Sequence, residues 1–303
     1  MATLRAVRRR IVSVEKVREI TAAMKTVSAV KVRNAQAALM AMRPYAAHLA
    51  EIIAHLATCG EPAEHPLLAD RGDGDAILVV ITSDRGLCGP FNSNVIKRAV
   101  AYQEDYRGKI GKYADMICVG TRGYNFFRRR GFNILEKYTG LFAGVDYEDA
   151  RAIGRSAVDA FLARDADRVD FLYHHFFSAG KQAVTVRSVL PIRLADMLLP
   201  QEAREPGGDE FVPAACPFLE YIFEPDSETV LGELLPLYVN VQVWRILQEH
   251  ISSEHGARMV AMDAATRNCE DMLGTLRLDY NKARQTAITK ELLEITAGAE
   301  GLR

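Results

Sequence analysis

VQVWRILQEHISSEHGARMVAMDAATRNCEDMLGTLRLDYNKA, Val241 to Ala283, contains no proline and only two glycines, Gly256 and Gly274. Counting in sevens from Val241 gives Val241, Trp244, Gln248, Ile251, His255, Arg258, Met262, Ala265, Cys269, Met272, Leu276, Asp279 and Ala283. Nine of these thirteen positions are apolar or small. That is the pattern of a coiled-coil seam with polar breaks, on one helix running from about Pro236 to Gly298 for roughly 90 Å.

A seam needs a partner, and the other end of the chain offers one. Leu4, Val7, Ile11 and Val14 recur at spacings of three and four. After a one-residue slip, Val17, Ile20, Met24 and Val27 continue the stripe. No glycine occurs before Gly60, so Thr3 to Ala57 reads as a helix of roughly 80 Å, with Pro44 expected to kink it or end its straight part. Two such rods at opposite ends of one chain should pair antiparallel.

Between the rods the pattern changes. DAILVVIT (Asp75 to Thr82) and DMICVG (Asp115 to Gly120) are short apolar runs rich in β-formers. Helical patterns follow at Asn94 to Tyr106 and Tyr124 to Arg130, then FNILEKY as a strand and Tyr147 to Arg164 as a helix. VDFLYHHFF and QAVTVRSVLPI read as a hairpin turning at Ser178 to Lys181, and FLEYIFEP (Phe218 to Pro225) as one more strand beyond a surface loop at Gln201 to Pro213. The fold class expected is α/β: a central Rossmann-like domain over 75–225, between coiled-coil helices over 1–57 and 229–303.

Composition bounds the chemistry. The chain has 303 residues, 49% hydrophobic and 25% charged, as in a globular protein with a sizeable core. Its five cysteines, Cys59, Cys88, Cys118, Cys216 and Cys269, have neither zinc-ligand nor disulfide-framework spacing. The net charge of −1 hides an arm: Met1 to Ala50 carries ten Lys and Arg against Glu15 and Glu19, a local +8. Such an arm suits a polyanion, a lipid surface or acidic protein; it is too long and too poor in serine for a transit peptide.

SDRGLCGPFNSN, Ser83 to Asn94, follows the first strand, where an open α/β sheet binds phosphate. It lacks the glycines of GxGxxG, and GxxxxGK[ST] occurs nowhere. A tight turn shaped by Gly86 and Gly89, with Asn92 or Ser93 capping the helix, is the simpler expectation. Cys88 reads as a buried filler, since no base accompanies it. His174 and His175 are neighbours on a strand and point to opposite faces, so they cannot share a metal. Asp84 and Asp115 sit where catalytic acids often sit and where capping aspartates sit too. No active site, cofactor site or metal site emerges.

RRRIVSVEKVREITAAMKTVSAVKVRNAQ (Arg8 to Gln36), SDRGLCGPFNSN, and SSEHGARMVAMDAATRNCEDML with LDYNKARQTAITKELLEI strongly resemble the γ subunits of F-type ATP synthases, in order and over essentially the whole chain. Departures are Pro90 and Phe91 after GLCG, and Gly256 where alanine is usual. The resemblance implies the central shaft of a rotary motor, non-catalytic itself, that couples a proton-driven c ring to three α and three β subunits. A small ε subunit is a further implied partner. No nucleic acid is implied. The implied place is the cytoplasmic face of the cell membrane, as a peripheral protein of bacterial type; a dithiol insertion is missing between Leu194 and Phe218. It places contacts with an acidic loop of β at Met24 and Lys25, and further contacts at Arg258, Arg284 and Gln285. The competing expectation is a dinucleotide-binding enzyme with helical dimerisation arms; a coiled-coil scaffold is a second.

The final stretch, Tyr280 to Ile295, is too polar for a core helix. With arms of unequal length the last turns should stand unpaired after about Tyr280. Small and polar residues there (Ala283, Thr286, Ala287, Thr289) allow close approach without large anchors, as a bearing requires. Thr289 joins Arg284 and Gln285 as an expected contact.

Overall fold

The computed structural model describes residues 4–58, 65–72, 74–163, 166–193, 224 and 226–300. Along the chain run α1 (Leu4–Thr58), β1 (Ala76–Ile81), α2 (Phe91–Ile110), β2 (Asp115–Val119), α3 (Thr121–Arg129), β3 (Ile134–Tyr138), α4 (Tyr147–Leu162), β4 (Arg168–Ser178), β5 (Lys181–Leu190) and α5 (Ser227–Glu300). The expected strand at Phe218 to Pro225 and the loop at Gln201 to Pro213 lie outside the described residues. The chain divides into one unit of Met1–Val30 with Arg258–Arg303 and a second of Lys31–Ala257, so α1 and α5 each contribute to both.

The second unit is built on a five-stranded sheet in the order β3-β2-β1-β4-β5. β1 pairs parallel with β2 and β4, β2 parallel with β3, and β5 turns back antiparallel on β4. All six residues of β1 are buried, because both faces of the sheet are covered. Ile77, Val79 and Ile81 face a core shared with α4, the second half of α1 and the first part of α5. Leu78 and Val80 face a smaller core, with Val95 of α2 and Phe127 of α3.

α1 passes through Pro44 and continues to Thr58, where the sequence suggested a kink or an end. The proline removes one backbone donor without ending the helix, and Ala46, Leu49, Ile53 and Leu56 just beyond it are buried in the core. α5 likewise passes through Gly256. A Cβ there would sit 3.0 Å from the carbonyl oxygen of Ala179 and 3.1 Å from Nε2 of Gln182, so glycine lets the helix lie against the β4–β5 turn.

In the first unit the terminal helices pair antiparallel. Thr21 Oγ1 meets Thr266 Oγ1 at 2.8 Å, Lys25 Nζ donates to Asp263 at 2.6 Å, and Arg277 Nη2 donates to Glu15 at 3.2 Å. Rising numbers on one helix match falling numbers on the other.

The seam differs from both counts made on the sequence. On α5 the inward residues are Met262, Thr266, Cys269, Leu273, Leu276, Tyr280 and Ala283. Leu273 is 2% exposed while Met272 is 44% exposed, and Asp279 is exposed while Tyr280 is half-buried. The alternate steps are therefore one residue later than counted, which puts leucine and tyrosine inward in place of methionine and aspartate. Upstream, Val241 to His255 is no seam: it is buried nearly all round within the second unit. On α1 the expected slip is absent at most positions. The heptad begun by Leu4 continues through Arg18, Thr21 and Ser28 to Val32; only Met24, half-buried beside exposed Lys25, keeps to the expected stripe.

Candidate functional site

The carboxyl end of β1, where a doubly wound sheet opens its ligand crevice, is closed by the chain itself. Ser83 donates its backbone N–H to Oδ1 of Asn92 at 2.9 Å, and Asn92 Nδ2 donates back to Ser83 Oγ at 2.7 Å. Asn92 thus ties the loop to the first turn of α2. It does not cap the helix, whose N-cap is Pro90 with no side-chain bond; Ser93 donates to the Pro90 carbonyl instead. Cys88 is buried, and Asn92 Nδ2 donates to its sulfur at 3.4 Å, a packing role.

Asp84 is the second fastening. Its carboxylate accepts from the backbone N–H and hydroxyl of Thr121, from Gly140 N–H and from Phe142 N–H, at 2.6–3.1 Å. Burial alone would raise its pKa; these bonds outweigh burial and hold it below the usual carboxylate value. One ionised aspartate thereby ties together the loops that follow β1, β2 and β3. Asp115 is held too, accepting from Asn133 Nδ2 at 2.7 Å.

In front of the α2 N-terminus, where a phosphate would sit, stand aromatic rings. Phe91 stacks on His174 with centroids 3.8 Å apart, and His250 of α5 packs edge-on against Phe91 at 5.0 Å and near Phe142 at 5.4 Å. Ser253 donates to the carbonyl of His174 at 3.2 Å. Phe91, His174 and His250 are all buried, so α5 fills the crevice and leaves no room there for a dinucleotide. The filling counts against a dinucleotide at this crevice. His175 pairs instead with Glu249 at 2.7 Å, on the opposite face from His174. Among the described residues no group of three or more metal-binding side chains converges. Two open surface hollows of about 430 Å³ lie elsewhere, one by Arg71 and Asp167, the other by Tyr138 and Arg155.

The surfaces on the helical pair remain. Arg284, Gln285 and Thr289 are exposed on the part of α5 beyond the last seam residue, Ala283. Thr289 donates its hydroxyl to the Gln285 carbonyl at 2.9 Å, and Thr286 does the same to Lys282 at 3.0 Å, hiding both hydroxyls against their own helix. Met24 is half-buried, and Lys25 is exposed while reaching Asp263. Arg258 differs: it is buried within the chain and presents little surface.

Sequence reasoning overlooked larger apolar contacts. Ile288, Leu292, Leu293 and Ile295 are all exposed, so the tip does carry large hydrophobic side chains. Their spacing is legible in the sequence, Ile288, Leu292 and Ile295 falling at i, i+4 and i+7 among interleaved threonines and charges. No helix among the described residues is long and apolar enough to cross a membrane.

Known proteins match this architecture. The family model described as ATP synthase matches residues 3–302. The ATP synthase gamma chain of Geotalea uraniireducens is 40% identical over 303 residues, covering all of both chains. That of Chlorobaculum parvum is 40% identical over 306 residues, again covering all of both. Among solved structures, a chain of the Euglena gracilis mitochondrial ATP synthase (OSCP/F1/c-ring, rotational state 3) shares the fold with a TM-score of 0.65 at 18% identity, over 99% of this chain and 94% of that one. A chain of the Tetrahymena thermophila mitochondrial ATP synthase central stalk/c-ring matches with a TM-score of 0.58 at 24% identity, over 81% of this chain and 99% of that one. With its terminal helices paired, its sheet crevice filled and its whole length matched, the chain belongs to the ATP synthase gamma-chain family.

Proposed function

We propose that the chain is the central rotor shaft of a proton-translocating F-type ATP synthase. It couples rotation of a membrane c ring to conformational change at catalytic sites carried by a ring of three α and three β subunits, with an ε subunit beside it. The observation that carries this reading is the antiparallel pair of terminal helices, from which α5 continues beyond Ala283 as a single exposed helix. An unpaired arm of that kind suits insertion into a sleeve. The filled crevice supports a non-catalytic role, with nucleotide chemistry left to the partners. The implied location is the cytoplasmic face of the cell membrane, attached through the complex. Purifying the chain through a tag tests this: α and β subunits should come with it, and the chain alone should hydrolyse no ATP. Turnover by the chain freed of α and β would overturn the assignment.

Met24, Lys25, Arg284, Gln285 and Thr289 are the proposed contacts with that sleeve; Arg258, buried within the chain, offers little surface for one. A charge-assisted hydrogen bond contributes about 1.5–3 kcal/mol when well made. On a turning shaft it forms at some angles only, so it shapes the rotational barrier more than assembly. Arg284→Ala with Gln285→Ala should leave the complex assembled and lower its steady-state ATP hydrolysis, by up to about tenfold for each ~1.4 kcal/mol of altered barrier. Hydrolysis rate and subunit stoichiometry, measured on one preparation, check it; lost assembly with normal turnover of what remains would contradict it.

A further inference from the structure

The inward face of α1 in the first unit changes character halfway along. Leu4, Val7, Ile11 and Val14 fill it with apolar side chains; the next four heptad positions are Arg18, Thr21, Lys25 and Ser28. One residue before each of these stand Val17, Ile20, Met24 and Val27. That second stripe has the same three, four, three spacing, yet three of its four members lie outside the seam, Val17, Ile20 and Val27 being 46%, 58% and 57% exposed, while Met24 is half-buried. At 17/18, 20/21 and 27/28 the polar residue is inside and the apolar one outside, the reverse of what burial of apolar surface favours; at 24/25 the apolar Met24 is already the more buried of the two.

The step from Val14 to Val17 is three residues where the heptad takes four. In a coiled coil such a shortened step is followed by local overwinding. Bringing the second stripe inward therefore needs α1 to tighten by one residue, about 100°. The register that the structure adopts is held here by Thr21 against Thr266 and by Lys25 against Asp263. The Lys25 side chain is 48% exposed, and exposed ion pairs hold weakly. Opposite, α5 presents small Thr266 and Cys269 with Ala261 and Ala265 half-buried beside them, and Met262 as the one large inward side chain, unbranched and able to repack.

We propose that residues 17–28 of α1 are a torsional detent with two seams. Twist that tightens α1 against α5 exchanges the polar seam for the apolar stripe one residue earlier, and relaxation restores the polar one. The proposal rests on reading the chain as a shaft that carries torque, and it names the segment where twist is taken up.

Cys269 provides a native reporter. The antiparallel count that sets Thr21 opposite Thr266 sets Arg18 opposite Cys269, three residues on in each helix. In the purified complex treated with diamide, the oxidant that takes up the two electrons and two protons here and below, the Arg18→Cys thiol should form a disulfide with Cys269 at rest, identified by mass spectrometry of unreduced peptides. That lock should lower ATP-driven turnover several-fold, and reduction should restore it. The Val17→Cys thiol should stay free at rest and become linked to Cys269 several-fold faster during hydrolysis. Absence of the Val17→Cys link under every condition, together with full turnover of the locked Arg18→Cys complex, would overturn the detent. So would failure of Arg18→Cys to link at rest. Failure of the shaft reading looks different: the tagged chain would purify without α and β subunits.

Discussion

Gly120→Ala should destabilise the sheet-bearing unit by roughly 3–5 kcal/mol, at the upper end of single-substitution effects. Gly120 closes β2 at φ +94°, a backbone conformation that L side chains rarely adopt. A Cβ there would stand 1.9 Å from the carbonyl oxygen of Thr82, far inside contact distance. Neither side can yield. Gly120 N–H is bonded to the Tyr138 carbonyl at 2.7 Å, and Thr82 holds the Val119 carbonyl through its own N–H at 2.8 Å. The Thr82 hydroxyl also accepts from Gly123 N–H at 2.8 Å, so the clash would spread to the start of α3. Gly131→Ala is the control. Gly131 has φ +74° with nothing within 4 Å of an added Cβ, so only backbone strain of about 1–2 kcal/mol applies. Urea unfolding of the two variants, followed by near-UV circular dichroism, separates strain from collision; equal losses would show that the Thr82 contact is not the cause.

Acid should weaken the same unit before its carboxylates titrate. His174 lies stacked on Phe91 at the closed crevice, and burial depresses its pKa from 6.5 to about 4. His250 beside it is pushed well down by burial first and by His174 second. Above pH 6.5 both folded and unfolded chains carry neutral rings, and stability is unaffected. Between pH 6.5 and about 4 the unfolded chain binds a proton that the folded chain refuses, so stability falls as pH falls. For His174 alone the loss amounts to about 3 kcal/mol, at 1.36 kcal/mol per pKa unit. Asp84 and Glu249 of this unit have pKa values below the ordinary carboxylate range, so they remain ionised through most of this window. His174→Phe keeps the stack and removes the proton site. Its unfolding midpoint should vary less with pH from 6.5 to 4, the dependence that remains belonging to His250, and an unchanged slope would exonerate His174.

Some features of this chain were written locally, and the sequence by itself determined them. Strands such as AILVVI, helices as long as α1 and α5, and the β4–β5 turn at Ala179-Gly180 follow from periodicity, β-branching and glycine placement within a few residues. The motifs were enough to indicate the family. The seam register was not local. Val17, Ile20 and Val27 are as apolar as Val7 and Ile11, and only the facing helix decides which stripe turns inward. Leu273 and Met272 are likewise interchangeable to any count of apolar residues, and tertiary packing chose between them. The crevice is the same case on a larger scale. A strand, a glycine turn and a helix N-terminus make a phosphate site in one fold and a closed joint in another. The difference here is His250 and Ser253, more than 150 residues away in sequence, laid across Phe91 and His174 by α5. Local pattern specifies which groups a segment presents; which of them meet, and which meet solvent, depends on contacts between distant segments.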